Sequence, residues 1–218
     1  MKISILLPYK ENYSPTYPGA VSLFVHSTTK ISKFKNEILV YGFTDLKKKF
    51  SKNYVNIPLK KGGLFKSQSK EYVNKFIQLH NNINVDIIEI HNRPNYVDLI
   101  GKLRSKIVLY FHNDPISMIG SKSAAERKKL LITCSKIIFN SEWSKKRFLK
   151  NLDNFYHKSL KLEVIHQSIN RTKVNINKKT KLITFVGKLN SAKGYDLFGK
   201  AIIKILNKHT AWKSIVIG

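Results

Sequence analysis

Short apolar runs alternate with amphipathic stretches along most of the chain. Continuous apolar runs are typical of strands buried on both faces, and apolar residues at helical spacing separate several of them. This alternation predicts an α/β fold, with helices covering a Rossmann-like parallel sheet. The predicted strands are Ile3–Leu7, Ile38–Tyr41, Tyr54–Ile57, Ile87–Ile90, Ile107–Phe111, Ile137–Phe139, Leu162–Ile165, Leu182–Val186 and Ser214–Ile217.

A polar stretch without periodicity interrupts this pattern, and we interpret residues 171–181 as a linker. Residues 1–170 then form one Rossmann-like domain of ordinary size. Residues 182–218 supply a single strand–helix–strand unit, which cannot bury both faces of its strands alone. This unit either adds to the first sheet or begins a second domain that the chain does not complete.

The charge is extreme, with 40 Lys and Arg against 13 Asp and Glu and a formal net charge of +27. Nucleic acid and an anionic membrane surface both attract such a field. Compositional drift is the third explanation, because Asn, Ile, Phe and Tyr, the amino acids of AT-rich codons, are also abundant. The lysines are scattered along the chain, which favours drift and membrane attraction over a dedicated nucleic-acid groove. One basic helix, with Arg127, Lys128 and Lys129, fits either a membrane-facing or a solvated surface.

The scarcity of cysteine and the absence of long apolar runs indicate the cellular compartment. The single cysteine, Cys134, excludes an intrachain disulfide and lies in an apolar run that predicts a packed thiol. No apolar run reaches the ~20 residues of a membrane span. The first apolar run ends at Pro8, too early for a secretory signal. We expect a cytoplasmic protein, with peripheral contact to the inner membrane face as an option.

An anion-binding turn is predicted near the end of the chain. A strand ends at Val186, a glycine turn with Lys188 and Lys193 follows, and Gly194 opens a helix. Backbone N–H groups and the helix dipole favour an anion at such a turn, and two ammonium groups would grip a diphosphate. The alternative is an ordinary solvated loop.

Two histidines end neighbouring apolar strands. His91 is followed by Asn92 and Arg93, and His112 begins a second proline-stiffened turn. Ligands of open α/β sheets bind beyond the carboxyl ends of the strands, so both histidines would face that crevice. The long loop after the first strand ends at Gly19 and is placed at the same edge. An ordinary β–α loop and histidines satisfied at loops remain the alternatives.

The segment from Val186 to Gly194 resembles the Gly-Arg-x-Leu…Lys-Gly segment of family 4 glycosyltransferases, which have the GT-B fold. The resemblance implies that Lys188, Lys193 and Gly194 bind the diphosphate of a nucleotide-sugar donor. Lys188 stands where the family more often has arginine, so bidentate geometry is lost. The loop at Gly19 is similar to the family's N-terminal glycine loop, which implies a donor contact there.

The first domain adds to this resemblance. His112 is similar to the family's histidine beside the scissile bond, which implies the catalytic position. His91, Asn92 and Arg93 resemble a segment of members that build cell-surface polysaccharides, which implies an acceptor-side role. The implied reaction moves a sugar to a lipid-linked or polysaccharide acceptor with retention and without a metal or other cofactor. No Asp-x-Asp motif and no cluster with metal-ligand spacing occurs.

The family's paired downstream glutamates have no counterpart in this chain, which implies truncation within the donor domain. We therefore expect the isolated chain to bind nucleotide-sugar weakly and to turn over poorly. The alternative function is a non-catalytic basic module that binds nucleic acid or anionic membrane.

Overall fold

The computed structural model describes residues 1–59, 67–81, 83–168, 173, 175 and 179–218. The chain divides into two compact units, Met1–Ser168 and Ile169–Gly218, which we call the N-terminal unit and the C-terminal unit. Most of the predicted linker over 171–181 lies outside the described residues.

The N-terminal unit is built on one sheet of seven strands, all paired in parallel. Its order is β3-β2-β1-β4-β5-β6-β7, so the direction of winding reverses between β1 and β4. Such a reversal opens a crevice at the carboxyl ends of the strands. The strands are β1 (Ile3–Leu6), β2 (Ile38–Gly42), β3 (Tyr54–Asn56), β4 (Ile87–His91), β5 (Lys106–Phe111), β6 (Lys136–Phe139) and β7 (Leu162–Val164).

Helices cover this sheet and enclose two apolar clusters. The larger cluster includes Ile88 and Ile90 of β4, and the smaller one joins Ile5 and Leu7 to the helix that follows them. Burial on both faces explains why the strands read as continuous apolar runs. The helices are α1 (Ala20–Ile31), α2 (Gln68–His80), α3 (Val97–Ile100), α4 (Ala124–Thr133), α5 (Glu142–Leu149) and α6 (Asn154–His157).

Side-chain caps fix where several of these helices begin. The Ser141 hydroxyl accepts a hydrogen bond from the Ser144 N–H at 3.2 Å and starts α5, as the sequence predicts. Ser123 and Glu126 form a reciprocal capping box at the start of α4. Each cap satisfies amides that lack a partner in the first helical turn.

The C-terminal unit is a strand–helix–strand unit of β8 (Leu182–Val186), α7 (Tyr195–Lys208) and β9 (Lys213–Ile217). Its two strands pair in parallel, with Leu182 opposite Lys213 and Val186 opposite Ile217. The predicted α/β class, with a parallel sheet followed by such a unit, is confirmed. All nine predicted strands are present, and their bounds differ from the prediction by at most one residue.

The basic helix α4 differs from the prediction at Arg127, which turns inward and is 2% exposed. Its guanidinium donates to the carbonyl oxygens of Ser121, Lys122 and Lys150 at 3.1, 2.6 and 2.5 Å. The prediction that Arg127 belongs to a basic surface is therefore wrong, because backbone carbonyls from three positions draw the side chain into the unit. Cys134 is buried as predicted, and burial raises the pKa of its thiol to about 12.

Within the described part of the chain, no helix combines the length and the apolar character that crossing a membrane requires.

Candidate functional site

Polar side chains gather at the carboxyl ends of four neighbouring strands of the N-terminal unit. His91 is the last residue of β4, and His112 directly follows β5. Asn140 directly follows β6, and Gln167 lies just beyond β7. Because parallel strands end at a common edge, the fold brings these four groups together from distant parts of the sequence.

The two predicted histidines are hydrogen-bonded to each other, with His91 Nδ1 2.8 Å from His112 Nε2. The other ring nitrogen of His91, Nε2, lies 2.7 Å from Glu89 Oε1. The other ring nitrogen of His112, Nδ1, is hydrogen-bonded to Gln167 Nε2. The structure therefore joins both histidines in one chain of four side chains.

Aromatic rings hold the His112 imidazole in place. The Tyr110 ring stacks on it at 4.5 Å between centroids, and Phe24 of α1 meets it edge-on at 5.0 Å. Burial, together with the proximity of His91, lowers the pKa of His112 to about 3. His112 is thus neutral at physiological pH, and its ring nitrogens act as hydrogen-bonding groups rather than as a charge.

The backbone around His112 is fixed by the asparagines of the neighbouring strands. Asn92 has a left-handed backbone (φ 52°), which asparagine tolerates better than most residues, and its side chain accepts from the His112 N–H at 2.9 Å. Asn140 Nδ2 donates to the His112 carbonyl at 2.8 Å. Both peptide groups of His112 are therefore held by side chains that directly follow β4 and β6.

An ion pair stabilises the turn that begins at His112. Arg147 of α5 donates to both oxygens of Asp114, with its Nη2 2.8 Å from Oδ2. These hydrogen bonds lower the pKa of the Asp114 carboxyl. The carboxylate in turn accepts from the Ile116 N–H and opens a short helical turn.

The predicted acceptor-side residues occupy different environments. His91 is fully buried and Asn92 is 6% exposed, whereas Arg93 is half-buried. Arg93 Nη1 donates to the Asn92 carbonyl at 2.8 Å. Both ring nitrogens of His91 have partners, so its contact with a ligand runs through His112. A direct acceptor contact at Asn92 or Arg93 remains a prediction.

The loop after β1 requires a glycine at position 19 because of a contact within the loop itself. Gly19 precedes the first residue of α1, and Glu11 Oε1 accepts from the Ser22 N–H at 3.0 Å. A Cβ at Gly19 would lie 1.8 Å from Glu11 Oε1, so no larger residue fits unless this carboxylate moves. The Glu11 carboxylate occupies the anion position at the start of α1, and a donor contact at Gly19 remains a prediction.

The turn that the sequence predicts to bind a diphosphate lies between β8 and α7 of the C-terminal unit, and diphosphate binding there remains a prediction. Gly194 has a left-handed backbone (φ 73°) and caps α7, and Asn190 Oδ1 accepts from the Lys193 N–H at 3.2 Å. The side chains of Lys188 and Lys193 are exposed on either side of this turn. Ammonium groups and a helix start are thus available together to an anion.

Sequence reasoning missed four members of the site in the N-terminal unit: Glu89, Gln167, Asn140 and Phe24. Two signals were available. Glu89 is a lone acid in an apolar strand. It lies two positions before His91, and residues two apart in a strand share a face. Asn140 and Gln167 follow the ends of their strands, where the carboxyl-edge rule points. Phe24 gives no signal, because an aromatic residue in α1 reads as core.

One cavity of the N-terminal unit lies apart from this arrangement. A cavity of about 350 Å³ near the end of α4 is lined by Leu131, Ile132, Phe155 and Tyr156 among others. None of the predicted site residues lines it, so the chemistry of the strand ends outweighs cavity size in locating the site. In the described residues, no three His, Cys, Asp or Glu side chains are grouped to hold a metal ion.

A scan against models of protein families finds no match, and a search among curated proteins finds none. Solved structures do match. The crystal structure of Anabaena Alr3699/HepE in complex with UDP and glucose matches with a TM-score of 0.66 and 16% identity over 99% of this chain and 60% of that chain.

The same protein in complex with UDP matches with a TM-score of 0.63 and 14% identity. Its complex with UDP-glucose matches with a TM-score of 0.60 and 12% identity. Both matches cover 100% of this chain and 70% of that chain. At these identities the likeness shows the fold, and this chain spans about 60–70% of the length of the matched structures.

Proposed function

We propose that the protein is a glycosyltransferase that takes its sugar from a nucleotide-sugar donor. One observation carries the proposal: the whole chain shares its fold with a protein that was solved with UDP, with UDP and glucose, and with UDP-glucose. The residues that resemble family 4 glycosyltransferases support the same function. UDP-glucose is therefore the first donor to test.

The C-terminal unit supplies the donor's diphosphate contacts in this proposal. Lys188 and Lys193 neutralise the leaving diphosphate, on which negative charge develops in the transition state. Gly194 leaves the start of α7 open to the phosphate oxygens, because it adds no side chain and nothing lies within 4 Å of its Cβ position.

The N-terminal unit supplies His112. Since the pKa of His112 is lowered to about 3, its role is to hold the reacting sugar by a hydrogen bond, not to donate a proton. The buried aromatic packing against Tyr110 and Phe24 fixes the ring before any ligand arrives.

The finer assignment rests on the sequence resemblance alone. It comprises family 4, retention of configuration without a metal, and a lipid-linked or polysaccharide acceptor in cell-envelope glycan assembly. A cytoplasmic location, with an anionic membrane surface as a further partner, belongs to the same proposal.

Titration calorimetry with UDP and UDP-glucose tests the proposal on binding, which does not depend on turnover. Lys193→Ala is expected to weaken UDP binding about ten-fold, because one charge-assisted contact is lost. The matched control is Lys200→Ala, which removes another exposed lysine, from the first half of α7. If the two substitutions weaken UDP binding equally, the lysines act only through the overall positive charge, and the proposed diphosphate site is contradicted.

The net charge of +27 favours one other function, a basic module without catalysis. That function predicts binding to any DNA duplex with an affinity that falls steeply with salt, and no response to UDP or UDP-glucose. Heat signals from duplex DNA at two salt concentrations, measured beside the UDP titrations, separate the two functions.

A further inference from the structure

Four side chains at the carboxyl edge of the N-terminal unit form one continuous hydrogen-bonded chain. It runs from Glu89 to His91 (2.7 Å), from His91 to His112 (2.8 Å), and from His112 to Gln167. His91, in the middle, is fully buried, whereas Glu89 is 27% exposed and Gln167 is exposed. Buried ring nitrogens need partners, so the order of donors and acceptors along this chain is constrained.

The Glu89 end fixes the direction of the hydrogen bonds. An ionised carboxylate only accepts, so His91 carries a proton on Nε2 and donates it to Glu89. A ring that carries its one proton on Nε2 presents Nδ1 as an acceptor. His112 Nε2, which is 2.8 Å from that nitrogen, therefore carries a proton and donates it.

The Gln167 end agrees with this direction. Its Nε2 amide nitrogen only donates, and it lies against His112 Nδ1, an arrangement that suits an unprotonated Nδ1. Reading the chain from either end gives the same protonation of His112. The opposite tautomer of His112 would require the Gln167 amide to turn its oxygen towards Nδ1.

We propose that Glu89 and His91 are positioning residues that fix His112 as the neutral tautomer protonated on Nε2, with Nδ1 left as a hydrogen-bond acceptor. In the proposed glycosyltransferase, to whose function this role is tied, a sugar hydroxyl replaces the exposed Gln167 amide and donates to Nδ1. The His112 subsite thus takes a neutral hydroxyl donor and gives no charge to an anion.

The surrounding contacts prevent the ring from reversing to offer its other nitrogen. Tyr110 stacks on one face at 4.5 Å, and Phe24 packs against it at 5.0 Å. The backbone N–H and carbonyl of His112 are held by Asn92 and Asn140. The burial of His91 makes an unpaired ring nitrogen costly, so the tautomer of His112 depends on Glu89 even though the two do not touch.

Nitrogen NMR of the chain labelled with ¹⁵N-histidine tests the tautomer without any ligand. Protonated and unprotonated ring nitrogens have well-separated shifts, and His112→Asn identifies the signals of His112 among the seven histidines. We expect His112 to be protonated on Nε2 alone in the natural chain. Protonation on Nδ1 would overturn the proposal.

Variants test what sets the tautomer. Glu89→Gln replaces a pure acceptor with an amide that can also donate, and His91→Phe cuts the link while keeping a buried ring. Each is expected to give a measurable share of the Nδ1-protonated form of His112. Gln167→Met is expected to leave the tautomer unchanged. An unchanged His112 spectrum in both Glu89→Gln and His91→Phe would overturn the proposal.

A matched control keeps the effect of charge apart from that of the hydrogen bond. Glu163→Gln removes a carboxylate from the nearby strand β7, where it pairs with Lys136 at 3.1 Å and is half exposed. It is expected to leave the His112 signals unchanged, because Glu163 is not part of the chain of four. A shift equal to that in Glu89→Gln would mean that general electrostatics sets the tautomer and would overturn the proposal.

Titration with UDP-glucose separates this inference from the proposed function. If the donor binds, Glu89→Gln is expected to weaken its binding about ten-fold and Glu163→Gln to leave it unchanged, because only the first loses the acceptor at Nδ1. UDP-glucose is compared with UDP, since the effect is expected only for the ligand that carries a sugar. If neither ligand binds the natural chain, the proposed function fails while the spectra still decide the tautomer. Equal weakening for both ligands would overturn the subsite.

Discussion

The two units of the chain contain the same structural motif, a strand followed by a helix and a parallel strand, but they differ sharply in how far their apolar side chains are buried. In the N-terminal unit, helices pack on a seven-stranded sheet and large aromatic side chains are fully buried. In the described part of the C-terminal unit, Ile202 is the one apolar side chain that is buried, and Leu197, Ile203 and Val186 are 67%, 62% and 73% exposed.

This difference shows that a buried strand pattern in the sequence is not sufficient to bury the strand. One helix covers one face of a two-stranded sheet, so the apolar residues of β8 and β9 on the other face stay exposed within this chain. The seven-stranded sheet is packed against helices, and its central strands β1, β4 and β5 reach the burial that their sequences predict, whereas the edge strand β3 is only partly buried.

The candidate residues differ in the same way. In the N-terminal unit, His112 is held by rings and hydrogen bonds from several elements before any ligand binds. In the C-terminal unit, Lys188 and Lys193 are exposed side chains beside a turn. A fixed histidine gives geometric precision, whereas lysines on flexible stems adapt to an anion.

The largest effect is expected from emptying the aromatic core of the N-terminal unit. Phe139 is fully buried, with ring centroids 5.6 Å from Phe111 and 5.3 Å from Phe148. Phe139→Ala is expected to lower the free energy of unfolding of this unit by about 3–5 kcal/mol. Phe185→Ala, at a partly exposed ring of β8, is expected to cost the C-terminal unit only about 1 kcal/mol.

Urea unfolding followed by peptide-resolved hydrogen exchange measures the two units separately. Equal costs for the two phenylalanine substitutions would remove the contrast between the units.

The stability of the N-terminal unit is expected to depend on pH through His112, which gives a second way to compare the two units. The pKa of this histidine in the folded chain, about 3, lies below its ordinary value of 6.5, so between these values the unfolded chain binds more protons. Stability of the N-terminal unit is therefore complete above about pH 6.5 and falls as the pH drops towards 3, with up to about 1.4 kcal/mol per pH unit for one proton. His112→Asn is expected to flatten this slope.

Burial also lowers the pKa of His80 and of His26, so these histidines keep part of the slope in His112→Asn. Urea unfolding at a series of pH values measures the slope. His209→Asn, at an exposed histidine of the C-terminal unit, is the control and should leave the N-terminal slope unchanged. A slope that His112→Asn does not change would mean that His112 is not the buried neutral group described here.

The smallest effect compares two glycines of helix α7. Gly194 has a φ of 73°, so Gly194→Ala is expected to destabilise the C-terminal unit by about 1–2 kcal/mol. Gly199 lies inside the helix with nothing within 4 Å of its Cβ position, so Gly199→Ala is expected to stabilise the unit by about 0.5–1 kcal/mol. Thermal unfolding measures both signs, and the same sign for both would contradict the left-handed cap.

Local patterns predicted the elements well because they depend on neighbouring residues. The nine strands, the start of α1 near Ala20, the Ser141 cap and the glycine that opens α7 all follow from spacing, capping and backbone preference. Arg127 was predicted on a basic surface, and carbonyl groups brought near by folding decide its burial instead.

The sequence by itself determined that His91 and His112 end neighbouring strands, because the carboxyl ends of parallel strands share an edge. Only the tertiary structure decided what those histidines contact. Glu89 lies on the same strand face as His91, but Gln167, Asn140 and Phe24 come from distant segments that meet only when the strands have paired and α1 has packed on the sheet. Hydrogen-bond direction, burial and the lowered pKa of His112 arise from those meetings, and a linear pattern of residue types does not encode them.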